Sequence, residues 1–266
     1  MSAAMAGPPA DSPLARRNPT VKLGVMTVVS VVVMFVLDPV TPAVLYVLAL
    51  VGVVYGARVP PRTLLIAHVP FLAFAVGILL VNALSRPGSV LWEGGVLRVT
   101  AEGLSVGAAL ALRALLIGVM AIGFLRSTDA VALMTSLHHN ARLGARVTYA
   151  VLAGYRMLQE MPREWAAIEH AHAVRSPRRQ GRAPRSPRHM ARVVFTLLVV
   201  SVRKGERMAQ ALESRGLGLE PRSTWRPVRV HGTDWVLLTA VLVTLAVVLA
   251  ASAALGVLQG PGALSS

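Results

Sequence analysis

The sequence predicts an all-α, polytopic membrane protein, and three observations carry that prediction. Hydrophobic residues make up 55% of the chain and charged residues only 15%, against roughly 25% in ordinary soluble domains. Mean hydropathy is +0.61. The apolar residues also gather into runs long enough to cross about 30 Å of hydrocarbon, which takes about 20 helical residues. Five runs stand out, near Leu23–Leu37, Ala43–Ala57, Leu64–Leu84, Leu104–Leu125 and Val236–Leu258. The first two are short and joined by the tight Asp38–Pro42 connection. They read as two spans, with a re-entrant or tilted pair as the alternative, so the count lies between four and six.

The organisation follows from these runs. Residues 1–22 form an N-terminal tail, rich at its start in Pro, Ala and Ser, without the compact apolar stretch of a signal peptide. Residues 23–125 form a membrane domain of about four spans, 126–235 a basic segment, 236–258 the last span and 259–266 a tail. Of the 27 Lys and Arg residues, 19 lie between Arg126 and Arg229, against seven acids, within a net charge of +15. Arg16, Arg17 and Lys22, then Arg58 and Arg62, then the basic segment from Arg126 fall on one side if each run crosses once. The opposite loops carry Asp38, and Arg86, Glu93, Arg98 and Glu102, in near balance. The positive side is expected inside, so the N-terminus and the basic segment are predicted to be cytoplasmic.

Within 126–235 the pattern is helical. Ser127 or Thr128 is expected to cap a short helix, with Asp129 favourable in its first turn. Leu143, Val147, Ala150, Val151, Gly154 and Leu158 share a face at helical spacing. Pro162 is expected to open another helix carrying Trp165, Ile168 and Ala171, which Pro177 stops. Pro177–Arg188 has no apolar periodicity and reads as a mobile loop whose arginines face anionic lipid. A last helix runs from about Met190 to Arg215. Gly216 suits the left-handed position after it, Leu217 the apolar contact beside that position, and Arg215 complements the helix dipole.

Several chemistries find no support. There is no cysteine, hence no disulfide or thiolate metal site. No Gly-rich loop ending in Lys-Ser or Lys-Thr is present, so ATP hydrolysis would have to come from partners. The pairs His170/His172 and His138/His139 do not place two ligands on one face, so no metal site or other cofactor is expected. The arginine-rich loop lacks the interleaved aromatics of a nucleic-acid surface. No catalytic pair is evident. Arg113 lies mid-span, where a charge costs several kcal/mol without a partner. It is expected to hydrogen-bond helix ends or Asn82, or to contact another membrane subunit. His68 and Pro70 read as a polar packing contact and a kink.

Two helix ends in the basic segment carry an arginine beside small residues: Val174-Arg175-Ser176 and Ser214-Arg215-Gly216. With "RRNPTVKL" before the first span, and "EGLSVGAALALRALL" followed by "RSTDAVALMTSL", they resemble the transmembrane T component of energy-coupling factor transporters. The similarity covers roughly Leu14 to Leu258. Family members carry an Ala-Arg-Gly-like motif at both ends; the second end departs from it only at Ser214, while the first keeps only the arginine. The resemblance implies a protein that joins two cytoplasmic ATP-binding subunits to a membrane protein capturing a vitamin or metal ion, in the plasma membrane of a bacterium. It further implies that Val174, Arg175, Ser176, Ser214, Arg215 and Gly216 dock on the ATPases and that the chain is not itself an enzyme. A self-sufficient secondary carrier and a membrane anchor for an unrelated complex are the rival readings.

Overall fold

The computed structural model describes residues 12–94, 97–175, 186–219 and 228–257. The elements run α1 (Pro19–Met34), α2 (Val40–Gly56), α3 (Pro61–Ser85), β1 (Val90–Gly94), β2 (Leu97–Thr100), α4 (Ala101–Ser127), α5 (Ala130–Asn140), α6 (Ala145–Val174), α7 (Pro187–Ser214) and α8 (Gly232–Ala254). They divide into two compact units, one of Met1–Leu133 with Val228–Ser266 and one of Met134–Pro227.

The first unit holds the apolar helices. Helices α3, α4 and α8 are long and apolar enough to cross a bilayer, while α1 and α2 are shorter apolar helices. At 1.5 Å per residue, the 16 and 17 residues of α1 and α2 reach about 24–26 Å. Helix α4 is the hub and packs on α1, α2 and α3. Gly103 and Gly107 bring it against α3: a Cβ at Gly103 would stand 2.6 Å from the Asn82 carbonyl, and one at Gly107 3.0 Å from the Leu79 carbonyl. This is the small-xxx-small spacing by which membrane helices pack without a hydrophobic driving force between them. One core joins Val29 and Val33 of α1, Leu45 of α2, Leu116 of α4 and Leu245 of α8. A second joins Val53 of α2, Leu64 of α3, and Val119 and Ile122 of α4. The opposite face of α3, with Leu65, Ile66, Val69, Leu72 and Phe74, is exposed, as a lipid-facing helix requires. His68 meets Tyr46, with Nε2 and the hydroxyl 3.2 Å apart.

Between α3 and α4, where the sequence predicts only a loop, the chain forms a small antiparallel hairpin. Its register pairs Val90 with Thr100 and Gly94 with Leu97, with an irregularity between Val90 and Trp92. Thr100 then caps α4 by accepting from the Gly103 N–H at 3.1 Å.

Two expectations for the basic segment need correction. The cap of α5 is Asp129, whose Oδ2 accepts from the Val131 and Ala132 N–H groups at 3.1 and 3.0 Å. Ser127 and Thr128 do not serve because α4 continues through Ser127. Pro162 does not start a helix. It lies inside the single 30-residue helix α6, on an exposed side where solvent can satisfy the carbonyl that proline leaves without a donor.

In the second unit α6 and α7 pack on each other in opposite directions. Lys204 of α7 pairs with Glu164 and, at 3.8 Å, with Glu160 of α6. His172 near the end of α6 meets His189 at the start of α7 edge to face, ring centroids 5.6 Å apart. At the other end, a Cβ on Gly218 would stand 3.0 Å from the Arg146 guanidinium in the first turn of α6. Ile168 and Val193 are buried. Ser186 caps α7 by accepting from the His189 N–H at 3.2 Å, with Pro187 at its first position.

Candidate functional site

Because α6 and α7 run in opposite directions, their C-terminal ends lie at opposite ends of the pair. Each presents an arginine at its final cap position. Arg215 follows the last turn of α7 with φ −88° and ψ 9°, and its side chain is exposed. Gly216 takes the left-handed backbone at φ +83°, which a residue with a Cβ rarely adopts. The Gly216 N–H then bonds to the Glu213 carbonyl and the Leu217 N–H to the Leu212 carbonyl, both at 2.9 Å. This is the Schellman closure, and it satisfies carbonyls that the helix end leaves open. Leu219 covers the glycine: its Cδ1 lies 3.3 Å from the Cβ position of residue 216. Ser214 folds back, its hydroxyl donating to the Ala211 carbonyl at 3.1 Å.

Arg175 ends α6 with φ −83° and ψ −5°, its N–H directed to the Ala171 and Ala173 carbonyls. It is exposed, and Val174 before it is 87% exposed. Ser176 and the loop arginines Arg178, Arg179, Arg182 and Arg185 lie outside the described residues. Along α7, Met190, Val194, Phe195, Leu198 and Val202 form an exposed apolar stripe at helical spacing.

In the membrane unit, the Arg113 Nη2 donates to the Val36 carbonyl at 2.7 Å, just past the end of α1. Its buried Nε has no hydrogen-bond partner. The Asn82 amide donates to Ile78 in its own helix at 2.9 Å. A half-buried charge is therefore held by an open helix-end carbonyl, which carries a partial negative charge. Among the described residues, no group of three or more His, Cys, Asp or Glu is arranged to hold a metal ion.

One cluster has roles that the sequence reading did not assign. At the start of α1, Asn18 caps the helix by accepting from the Thr20 N–H at 2.9 Å. The Asn18 N–H donates to Oδ1 of buried Asp234 in α8 at 2.9 Å, and the His231 N–H donates to Oδ2 at 2.8 Å. Lys22, only 5% exposed, donates to the Leu14 carbonyl at 3.1 Å and the Ser127 carbonyl at 2.7 Å. The start of α1, the end of α4 and the start of α8 are thereby tied into one polar knot. Its sequence trace was the Asn-Pro…Lys-Leu stretch, which by itself names no partners.

The fold and these features define a helical membrane component of a transporter: apolar helices with a tightly packed hub, joined to a basic pair of long helices with arginine-bearing ends. The chain belongs to the CbiQ cobalt transport protein family, whose model matches residues 10–226. It is 26% identical over 242 residues to the energy-coupling factor transporter transmembrane protein EcfT of Heliobacterium modesticaldum, covering 88% of this chain and 91% of that protein. It is also 24% identical over 252 residues to a putative ABC transporter ATP-binding protein of Bifidobacterium longum, covering 91% of this chain but 32% of that protein.

Proposed function

We propose that the protein is the energy-transducing membrane subunit of an ATP-driven importer, joining two cytoplasmic ATP-binding subunits to a membrane protein that captures a vitamin or a transition-metal ion. The observation that carries this reading is the opposed pair α6 and α7, with Arg175 and Arg215 exposed at opposite ends. Two separated arginines suit two docking partners rather than one. A guanidinium offers a planar fork of donors that can hold a carboxylate or carbonyls in fixed orientation. The match to a region within a protein named for ATP binding supports ATP-binding subunits as those partners. The exposed apolar stripe on α7 suits the membrane face or the capture protein.

In this reading five helices cross the plasma membrane of a bacterium, the N-terminus and the α6–α7 pair are cytoplasmic, and the chain hydrolyses nothing itself. Anionic lipid lies against the basic segment. The orientation predicts that a cysteine at position 182 is labelled only from the cytoplasmic face and one at Ser89 only from outside. Labelling of position 182 in intact cells would reverse the topology. For the function, the tagged protein purified from native membranes should bring down a pair of ATP-hydrolysing polypeptides. Recovery of the chain alone, still transporting in vesicles without ATP, would make it a self-sufficient carrier.

A further inference from the structure

The hairpin between α3 and α4 carries apolar side chains that no other part of its unit covers. Strand β2 packs on α3 and α4, which makes β1 the outer strand. On β1, Val90, Leu91 and Trp92 are 50, 62 and 58% exposed. The hairpin is nevertheless fixed at its base. Glu102 of α4 accepts from the Ser89 N–H at 2.7 Å and from the Ser89 hydroxyl at 3.0 Å. The Ala101 N–H donates to the Ser89 carbonyl at 3.0 Å, and the Thr100 hydroxyl to the Arg86 carbonyl at 3.0 Å. These bonds hold β1 at one height relative to the end of α3 and the start of α4. A plain connection needs neither that tether nor three adjacent exposed apolar residues.

Two observations identify what covers them. The exposed face of α3 continues through Val76, Leu80, Val81 and Leu84 to the helix end at Ser85, and so leads into the hairpin. Lipid is the solvent for such a face on a membrane-crossing helix. The second observation is Trp235, 60% exposed, at the opposite end of the same unit. It stands in the first turn of α8 beside Asp234, which receives the Asn18 N–H, while Lys22 of α1 binds the Ser127 carbonyl at the end of α4. Trp92 and Trp235 therefore mark the two ends of α4, whose 27 residues reach about 40 Å. A bilayer with its headgroup regions is roughly 40–45 Å thick. Exposed tryptophans at both ends of that span match the aromatic belts of membrane proteins, where the amphipathic ring sits at headgroup level.

We propose that β1 is an interfacial anchor: Val90, Leu91 and Trp92 seat in the headgroup–acyl boundary of the bilayer, on the side away from the start of α8, and fix the depth of α3 and α4. A second copy of the chain is the poorer occupant. Strand β1 has only five residues, and its register passes from the Val90–Thr100 pair to the Trp92–Val99 pair, leaving Leu91 bulged. Short, bulged edges resist strand-to-strand pairing. The anchor requires only that α3 and α4 cross a bilayer, and it is independent of the cargo and of the ATP-binding partners.

The test uses the full-length chain in phosphatidylcholine vesicles, with one tryptophan at a time. Trp165→Phe/Trp225→Phe/Trp235→Phe leaves Trp92 alone, and Trp92→Phe/Trp165→Phe/Trp225→Phe leaves Trp235. Lipids brominated at successive depths along the acyl chain locate each indole by its loss of emission. Both should lie near the edge of the hydrocarbon core, about 15 Å from the midplane. In the chain that keeps Trp92, Leu91→Glu should lift the strand toward water. Quenching by brominated lipid should fall, quenching by aqueous acrylamide should rise and the emission should shift to the red. Should that variant fail to insert, the depth of Trp92 in its parent still decides. The anchor is overturned if no brominated lipid quenches Trp92. Free access of acrylamide would then place β1 in water, and exclusion of acrylamide would place it under protein, a second copy or another subunit. An indole near the midplane, or a Trp92 depth that Leu91→Glu leaves unchanged, would overturn it as well.

Discussion

The two arginine-bearing helix ends share nearly the same cap backbone but differ in the residue that follows the arginine, glycine after Arg215 and serine after Arg175. At the end of α7, Gly216 at φ +83° turns the chain and two 2.9 Å hydrogen bonds lock the turn. The Cα of Arg215 is thereby fixed before any partner arrives. At the end of α6, Arg175 has one N–H directed to two carbonyls, the Ala171 contact being 3.4 Å long, and sequence supplies Ser176 where α7 has glycine. The lesson is that equal chemistry at two ends need not mean equal preorganisation. Ordering a side chain on binding costs about 0.5–1.5 kcal/mol, so an end already closed should contribute more net affinity.

The largest effect is expected from reversing charge at the closed end. Arg215→Glu should weaken association with the ATP-binding subunits by about 2–5 kcal/mol, the range for breaking a buried charged contact, and Arg175→Glu by less. Quantitative co-purification at equal expression measures both, and equal losses would erase the distinction. Gly216→Val comes next. It places a β-branched residue in a left-handed conformation costing about 1–2 kcal/mol, so assembly should fall several-fold although no contacting side chain is removed. Full assembly with this variant would mean that the closed turn does not aim Arg215.

A smaller effect on assembly should follow from substituting Arg178, Arg179 and Arg182 together by Gln, because in the proposed reading they face lipid, where each contributes at most about 1 kcal/mol to membrane attraction and less in salt, and not the ATP-binding subunits. If that variant lost assembly while both helix-end variants kept it, the coupling contact would lie in the loop. The smallest change should come from Lys204→Met, which removes the Glu164 and Glu160 pairing between α6 and α7. Both partners of the closer pair are about one-third exposed, so its worth is roughly 0–1 kcal/mol. It should affect both ends alike. A selective loss at the α6 end, read by comparing this change in the Arg175→Ala and Arg215→Ala backgrounds, would show that the pair positions Arg175.

The sequence made the closed end of α7 legible because glycine, leucine and a preceding arginine report a local geometry. The apolar runs were legible for the same reason, since length and hydropathy are local properties. The continuity of α6 through Pro162 was not, because tertiary packing on α7 and an exposed carbonyl offset the penalty that proline carries in isolation. The hairpin Val90–Thr100 was hard to read despite the Gly94-Gly95 pair in its sequence, because the alternation is short and partly charged. Asp129 takes the place of the two hydroxyl residues before it as a cap because α4 runs two residues further than the apolar run, through Ser127. Arg113 announced its need for a partner, but nothing in its surroundings in sequence pointed to the Val36 carbonyl, 77 residues away. The knot of Asn18, Lys22, Ser127 and Asp234 was still less accessible, being written in three separate stretches.

That knot also has a timetable. Asn18 and Asp234 are 216 residues apart, so the residue that receives the Asn18 N–H is made long after α1 has left the ribosome. At about 5–20 residues per second the interval is roughly 10–40 seconds. Throughout it, the first helix must stay inserted without its final anchor, and the Lys22 ammonium must wait for Ser127 before its second carbonyl arrives. Helix α8 therefore acts as a latch that closes the bundle only once residue 234 has been made, and a chain stopped short of it would leave the start of α1 unfastened.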